Sequence, residues 1–195
     1  MAMIAGQARA TACLTGDDLQ GGLRAMYLDG SVVDYHPAGE GLVQVVERPD
    51  PARPEAIAFL SRYGLYDLEA QALAGDAPEV GKHLSYSYAT AGGAEPPLPE
   101  AGTTWLGQSV TTYADGAHEV ADAVFVYGRE GSVSLGGCDY RSIPVTASFL
   151  MGQAWASQDY QWLPDLGIGL LTGRQGSDAA RGSVYRLSGL TRIVD

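Results

Sequence analysis

From Leu19 onward the chain reads as short runs of alternating apolar and polar residues, punctuated by glycine and proline. A period of two marks strands with one buried face. In GGLRAMYLDGSVVDYHP two such runs flank Asp29-Gly30, a pair suited to the two positive-φ positions of a tight hairpin turn. GLVQVVERP reads as a third strand, stopped by Pro49, Pro51 and Pro54, which cannot donate ladder bonds. In HLSYSYAT, Leu84, Tyr86 and Tyr88 share a face. One segment departs from the pattern. In EAIAFLSRYGLYDLEAQAL, Ile57, Leu60, Tyr63 and Gly64 follow helical spacing, with Pro54 near the start and Gly64 as a stop. That predicts a short helix over 54–63, then a strand from Leu65 to Leu73 with Leu65, Asp67 and Glu69 on one face.

The alternation is clearest after the proline-rich surface loop AGGAEPPLPEAGTTW. Residues 103–150 supply at least four strands, with hairpin signals at ADG and REG. Neighbours pairing as a meander follow from this order, with Val124, Val126, Val133 and Leu135 as inward-facing candidates. QAWASQDYQWLPDLGIGLLTG adds an aromatic strand, a turn at Pro164-Asp165 and an apolar strand through Ile168 and Leu171. A polar loop, RQGSDAARG, precedes the closing SVYRLSGLTRIVD. The fold class predicted is mainly β: a large curved antiparallel sheet of about ten strands, half-barrel or barrel, with one or two short helices.

Composition sharpens this. A chain of 195 residues has room for one domain with a real core. Its 26 glycines and 10 prolines favour turns over long helices, and 11 tyrosines against 3 phenylalanines suit half-buried strands. A net charge of −11 argues against nucleic acid and against anionic lipid, since both need clustered lysine and arginine.

The opening MAMIAGQARATACLTGDD bears on the compartment. Its apolar part is far shorter than a membrane span, so the mature chain is read without a transmembrane segment. Ala8 and Ala10 form the small-residue pair that a signal peptidase cleaves after, and Ala10 with Ala12 form a second pair just before Cys13. Residues 1–12 are thus read as a signal-peptide remnant or disordered N-terminus, and 13–195 as a single β-rich domain, periplasmic or secreted. An alanine-rich first helix turn is the other reading. Lipid anchoring at Cys13 also fits, although Ala10 stands where a leucine-like residue is usual. In an exported chain two cysteines most simply form one disulfide, Cys13 to Cys138; two buried thiols, or an acylated Cys13 with Cys138 alone, are the alternatives.

The candidate chemistry is sparse. Asp34 and His36 stand two apart in a strand, and so share a face. His118 and Glu119 follow a hairpin turn near Asp115 and Asp122. Either pair could act as acid and base, or the residues could simply be polar groups on a solvent face. His83 has no neighbouring partner in the sequence. No nucleophile elbow, P-loop or dinucleotide fingerprint is present, and no cofactor or metal is implied. An aromatic set, Trp105, Phe149, Trp155, Tyr160 and Trp162, falls where the sheet is expected to curve, and reads either as a ligand-cavity wall or as ordinary core.

VSLGGCDYRSIPV followed by YQWLPDLGIGLL resembles a late hairpin of exported bacterial proteins of the lipoprotein-carrier type, the LolA/LolB-like half-barrel superfamily, over about 60 residues from Val133 on. The resemblance implies a curved sheet around a helical plug, with an apolar cavity for acyl chains or other hydrophobic ligands. This chain offers only one convincing helix where such carriers cover the cavity with several. The function expected is an exported bacterial envelope protein that binds a hydrophobic small molecule or an envelope protein in a curved sheet. An enzyme with an Asp/His site and a structural component held by its sheet edge are the alternatives.

Overall fold

The computed structural model describes residues 12–177 and 182–194; most of the segment read as a signal remnant lies outside them. A short 3-10 helix (Gly16–Gly21) leads into β1 (Leu23–Tyr27), β2 (Val32–Gly39), β3 (Leu42–Arg48), β4 (Glu55–Arg62), β5 (Tyr66–Ala74), β6 (Ala77–Ala89) and β7 (Thr104–Tyr113). There follow β8 (His118–Tyr127), β9 (Gly131–Leu135), β10 (Cys138–Met151), β11 (Ala154–Leu163), β12 (Ile168–Gly176), β13 (Ser183–Val184) and β14 (Leu187–Arg192). They form one antiparallel sheet, so the mainly β class holds with more strands than the ten expected. Its path runs β13-β12-β11-β10-β8-β7-β6-β5-β4-β3-β2-β1-β14, with β9 set aside against β10.

Most ladders join neighbours in sequence, and the turns explain why. The β1–β2 and β7–β8 turns are both Tyr-x-Asp-Gly. In each, the tyrosine N–H bonds the carbonyl four residues on, at Ser31 or Ala117, and the glycine N–H bonds back to the tyrosine carbonyl. Only the glycines, Gly30 and Gly116, have positive φ. The expected pairing of two positive-φ residues at Asp29-Gly30 is therefore corrected. Asp29 instead accepts bonds from the Ser31 N–H at 3.0 Å and hydroxyl at 2.7 Å, and Asp115 accepts from the Ala117 N–H. These are aspartate side chains mimicking a backbone turn.

Three further expectations are corrected. The predicted 54–63 helix is strand β4. Its apolar residues serve both faces: Ala56 and Ala58 pack with Val46 and Leu73 in one small cluster, while Ile57 and Phe59 face a cavity. A strand with apolar residues on both faces loses its alternation, and what remains mimics helical spacing. Gly64 does not stop a helix. With Tyr63 at φ 58 and Gly64 at φ 64, it closes the β4–β5 hairpin, where the Leu65 N–H bonds the Arg62 carbonyl at 3.1 Å. REG is no hairpin between β8 and β9, because β9 pairs with the first residues of β10 (Ser134↔Asp139). Lastly, Val124 is half-buried and Val126 is 45% exposed, because Ala123, Phe125 and Tyr127 take the inner face of β8; Leu135 is buried as expected, with Val133 packed against the core.

The sheet curls far enough for distant strands to touch. The Tyr27 hydroxyl on β1 donates to the Leu171 carbonyl on β12 at 3.0 Å. Tyr66 on β5 and Tyr127 on β8 share a 2.7 Å hydroxyl–hydroxyl bond. The final segment serves both ends of the sheet path: Val184 pairs with Gly173 on β12, and Leu187 pairs with Tyr27 on β1. Gly169 lets the curl tighten. A Cβ there would sit 2.3 Å from Leu65, and the Gly169 N–H donates to the Tyr63 carbonyl at 2.8 Å.

Two apolar clusters fill the interior. One gathers Leu23, Tyr35, Val43, Val45, Leu163, Ile168 and Leu170 with Tyr140 and Leu14. The other gathers Tyr66, Tyr88, Trp105, Phe125, Tyr127, Val145 and Trp162. The adjacent residues Leu170 and Leu171 enter different clusters, so β12 is covered on both faces there. This accounts for the unbroken apolar run in GIGLL. The Cys13–Cys138 disulfide is formed, with Cα atoms 5.6 Å apart, and fastens the leading segment to the start of β10. Beside it the Leu14 N–H donates to the Tyr140 hydroxyl at 3.0 Å.

Candidate ligand-binding cavity

Beyond the second cluster the curled sheet does not close on itself. A cavity of about 340 Å³ remains, walled by β4, β5, β6, β7, β8, β10, β11 and β12. That volume lies in the range of small-molecule pockets, roughly 300–1,000 Å³. Its apolar wall is Ile57, Phe59, Tyr86, Tyr88, Phe149 and Met151. Each comes from the inner face of its strand, and the alternation seen in HLSYSYAT is what aims Tyr86 and Tyr88 inward together.

Polar groups complete the lining. Asp67 projects from β5, opposite Ser61 on β4. Gln158 and Arg174 are cross-strand neighbours on β11 and β12. The Arg174 guanidinium reaches across the curl and donates to Glu47 of β3 at 2.7 Å. The Tyr160 hydroxyl donates to Gln158 Oε1 at 2.6 Å and holds that amide in place. Ser109, Thr111 and Glu119 complete the polar part, and Glu119 accepts a 2.7 Å bond from the Tyr113 hydroxyl.

The electrostatics are uneven. Burial pushes the Asp67 carboxyl up to about 7, and the charge of Glu47 adds to this; the Ser61 hydroxyl and Arg174 act the other way without reversing it. Burial works against the charged form of Arg174, but the charge and hydrogen bond of Glu47 outweigh it, so the guanidinium is held firmly protonated. Tyr86 is raised to about 12, mainly by burial and secondarily by Asp67. Tyr88 and Tyr160 are raised well above the ordinary phenol value, again by burial first. At neutral pH Glu47 and Arg174 thus cancel, and Asp67 is poised between carboxylate and carboxylic acid.

The residues singled out from the sequence scatter around this site. Phe149 lines the cavity and Tyr160 orients its Gln158. Trp162 is buried against Tyr63 and borders a separate, wider groove of about 1000 Å³ lined largely by turn residues. Trp105 packs in the second cluster against Phe125, with centroids 5.8 Å apart. Trp155 is 43% exposed, because the inner positions of β11 are Ala156 and Gln158. Asp34 and His36 do share a strand, but the Asp34 carboxylate is bound by Arg24 at 2.6 and 2.8 Å and by Arg48 at 3.0 Å. His36 lies against Gly22. His118 meets the Thr112 hydroxyl at 3.0 Å on an exposed hairpin, five strands lie between β2 and β8 in the sheet path, and among the described residues no hydrogen bond joins His118 to His36. Glu119 alone of the four acid–base candidates reaches the cavity.

Among the described residues, the cavity lining holds no histidine, cysteine or lysine. Among the described residues, no three of histidine, cysteine, aspartate and glutamate gather as a metal-ligand group. What the arrangement offers is an aromatic-walled cavity with two carboxyls, an amide and a paired guanidinium in its lining. Comparison with protein-family models, with curated proteins and with solved structures found no match. Among the described residues no helix is long and apolar enough to cross a membrane, and the disulfide is compatible with an oxidising extracellular compartment.

Proposed function

We propose that the chain is a non-enzymatic exported protein that takes a small, largely apolar molecule into the cavity of its curled sheet. The observation that carries this reading is the 340 Å³ cavity itself, with Phe59, Tyr86, Tyr88 and Phe149 aimed into it from three different strands. Aromatic walls with a few convergent polar groups are the usual composition of a ligand site. Assembly through a sheet edge is less well supported. The ends of the described sheet path are a two-residue strand, β13, and the six-residue β14, which gives little bare edge for another chain to pair with. An oxidising compartment suits the reading because the disulfide must persist there.

Titration with the neutral apolar dye Nile red, followed by fluorescence, tests the proposal. Saturable one-to-one binding is expected. Ala156→Trp, which places an indole in the cavity, should weaken it at least tenfold, whereas Leu150→Trp, at a position 49% exposed, should leave it unchanged. Equal binding by Ala156→Trp would remove the cavity as the site.

A further inference from the structure

The walls of the cavity carry more information than its volume. We propose that its ligand has an apolar or aromatic body and one protonated amine, and that the amine meets the carboxylate of Asp67. This deepens the reading of the cavity as a ligand site and rests on it.

The charges facing Asp67 can be taken strand by strand. Glu47 on β3 and Arg174 on β12 are bonded to each other at 2.7 Å, so they cancel. Tyr86 and Tyr88 on β6 and Tyr160 on β11 stay neutral, since burial raises all three phenols. Glu119 on β8 adds a second carboxylate to the lining, and the residues supplied by β7 and β10, Ser109, Thr111, Phe149 and Met151, are uncharged. Ser61 on β4 offers only a hydroxyl. Among the described residues no guanidinium or ammonium forms an ion pair with Asp67. Among the described residues the cavity lining thus carries more carboxylates than cations, and Asp67 has no cationic partner of its own.

The rings favour the same ligand. Aromatic faces carry negative quadrupole potential and attract an ammonium within about 6 Å, the more strongly once it is desolvated. An anionic ligand would face Asp67 and Glu119, with Arg174, the one cation among the described lining residues, already committed to Glu47. A neutral ligand would leave Asp67 to be neutralised by a proton, which is the state burial already promotes. An ammonium instead stabilises the ionised form, so binding releases a proton. With the Asp67 carboxyl starting at about 7, apparent affinity should rise about tenfold from pH 6 to pH 8. A primary amine of ordinary pKa, about 10, stays charged throughout.

Displacement of Nile red by three matched probes tests this: 2-phenylethylamine, 2-phenylethanol and 3-phenylpropionate, each at pH 6 and pH 8. The amine is expected to bind at least tenfold more tightly than the alcohol at pH 8, the propionate most weakly, and only the amine to tighten with pH. Asp67→Asn, its folding checked by near-ultraviolet circular dichroism, should abolish both the amine preference and the pH effect while still binding 2-phenylethanol. If the alcohol or the propionate matches the amine, or Asp67→Asn keeps the preference, the amine assignment is overturned and the cavity remains a ligand site. If Nile red itself does not bind, both fall together.

Discussion

The interior of the sheet is finished in two different ways. Leu23, Tyr35, Leu163, Ile168 and Leu170 are each at most 1% exposed, and Cys138 of the disulfide lies in the same cluster. Around Asp67, Tyr86, Phe149, Gln158 and Arg174 the same sheet leaves a polar-edged cavity. Single strands serve both regions. β3 places Val43 and Val45 in the packed cluster, and Glu47, two residues on along the same face, beside the cavity. β12 contributes Ile168 and Leu170 to the one and Arg174 to the other. A carboxylate and a guanidinium at inner positions cost solvation, and nothing in the packed cluster needs them. Stability is thus concentrated in one region, while the other keeps polar groups that a purely structural core would replace.

The contrast can be broken chemically. Replacing Cys13 and Cys138 with serine should produce the largest loss, about 4 kcal/mol for a bridge spanning 125 residues, read as a fall in urea midpoint. Leu170→Ala, at a site 0% exposed, should cost about 3 kcal/mol, while Phe149→Ala, half-buried at the cavity, should cost about 1 kcal/mol and yet weaken Nile red binding several-fold. Similar losses from the two truncations would erase the distinction.

Asp67→Asn should act in the opposite direction. Folding raises this carboxyl from 3.8 to about 7, so between those values the folded chain holds a proton that the unfolded chain has released. Stability from this group therefore falls as pH rises through that window. The asparagine variant should be more stable than the parent at pH 8, by about 2 kcal/mol after allowance for partial access to the cavity, and no more stable at pH 3.5. A thermal melt series across pH measures it. Asp18 gives the smallest effect. The Arg192 hydrogen bond, with the Thr15 N–H, holds its carboxyl at about 2, so its contribution is present above 3.8 and lost as pH falls through 2. Asp18→Asn should lower Tm slightly at pH 7 and converge with the parent near pH 1.5.

Much of this architecture could be read from the residues. The Asp-Gly hairpins, the proline stops after β3, the Pro164-Asp165 turn, the inward face of β6 and the cysteine pair all follow from local rules, and all are present. β4 could not be read, because Ala56 and Ala58 on one side and Ile57 and Phe59 on the other are all apolar. The parity of β8 is hard to read for a related reason: in ADAVFVY both faces carry apolar residues, and only Asp122 on one face and the aromatics Phe125 and Tyr127 on the other tell outer from inner. The cavity was the least legible feature. Its lining takes one or two residues from each of eight strands, spread from Ile57 to Arg174, and no local motif links them. Asp67 was visible only as one position on a strand face. Its importance comes from Glu47 and Arg174, which lie far from it in sequence and meet it only once the sheet has curled.

The division of the interior into a packed region and a ligand cavity is tested most directly by an amide NMR titration with 2-phenylethylamine and 2-phenylethanol. The largest shift changes should fall at residues 57–59, 67, 86–88, 149 and 158, with residues 23, 35, 163, 168 and 170 unmoved. Changes centred on Tyr63 and Trp162, spread over the outer face of the sheet, or absent at saturating probe would contradict it.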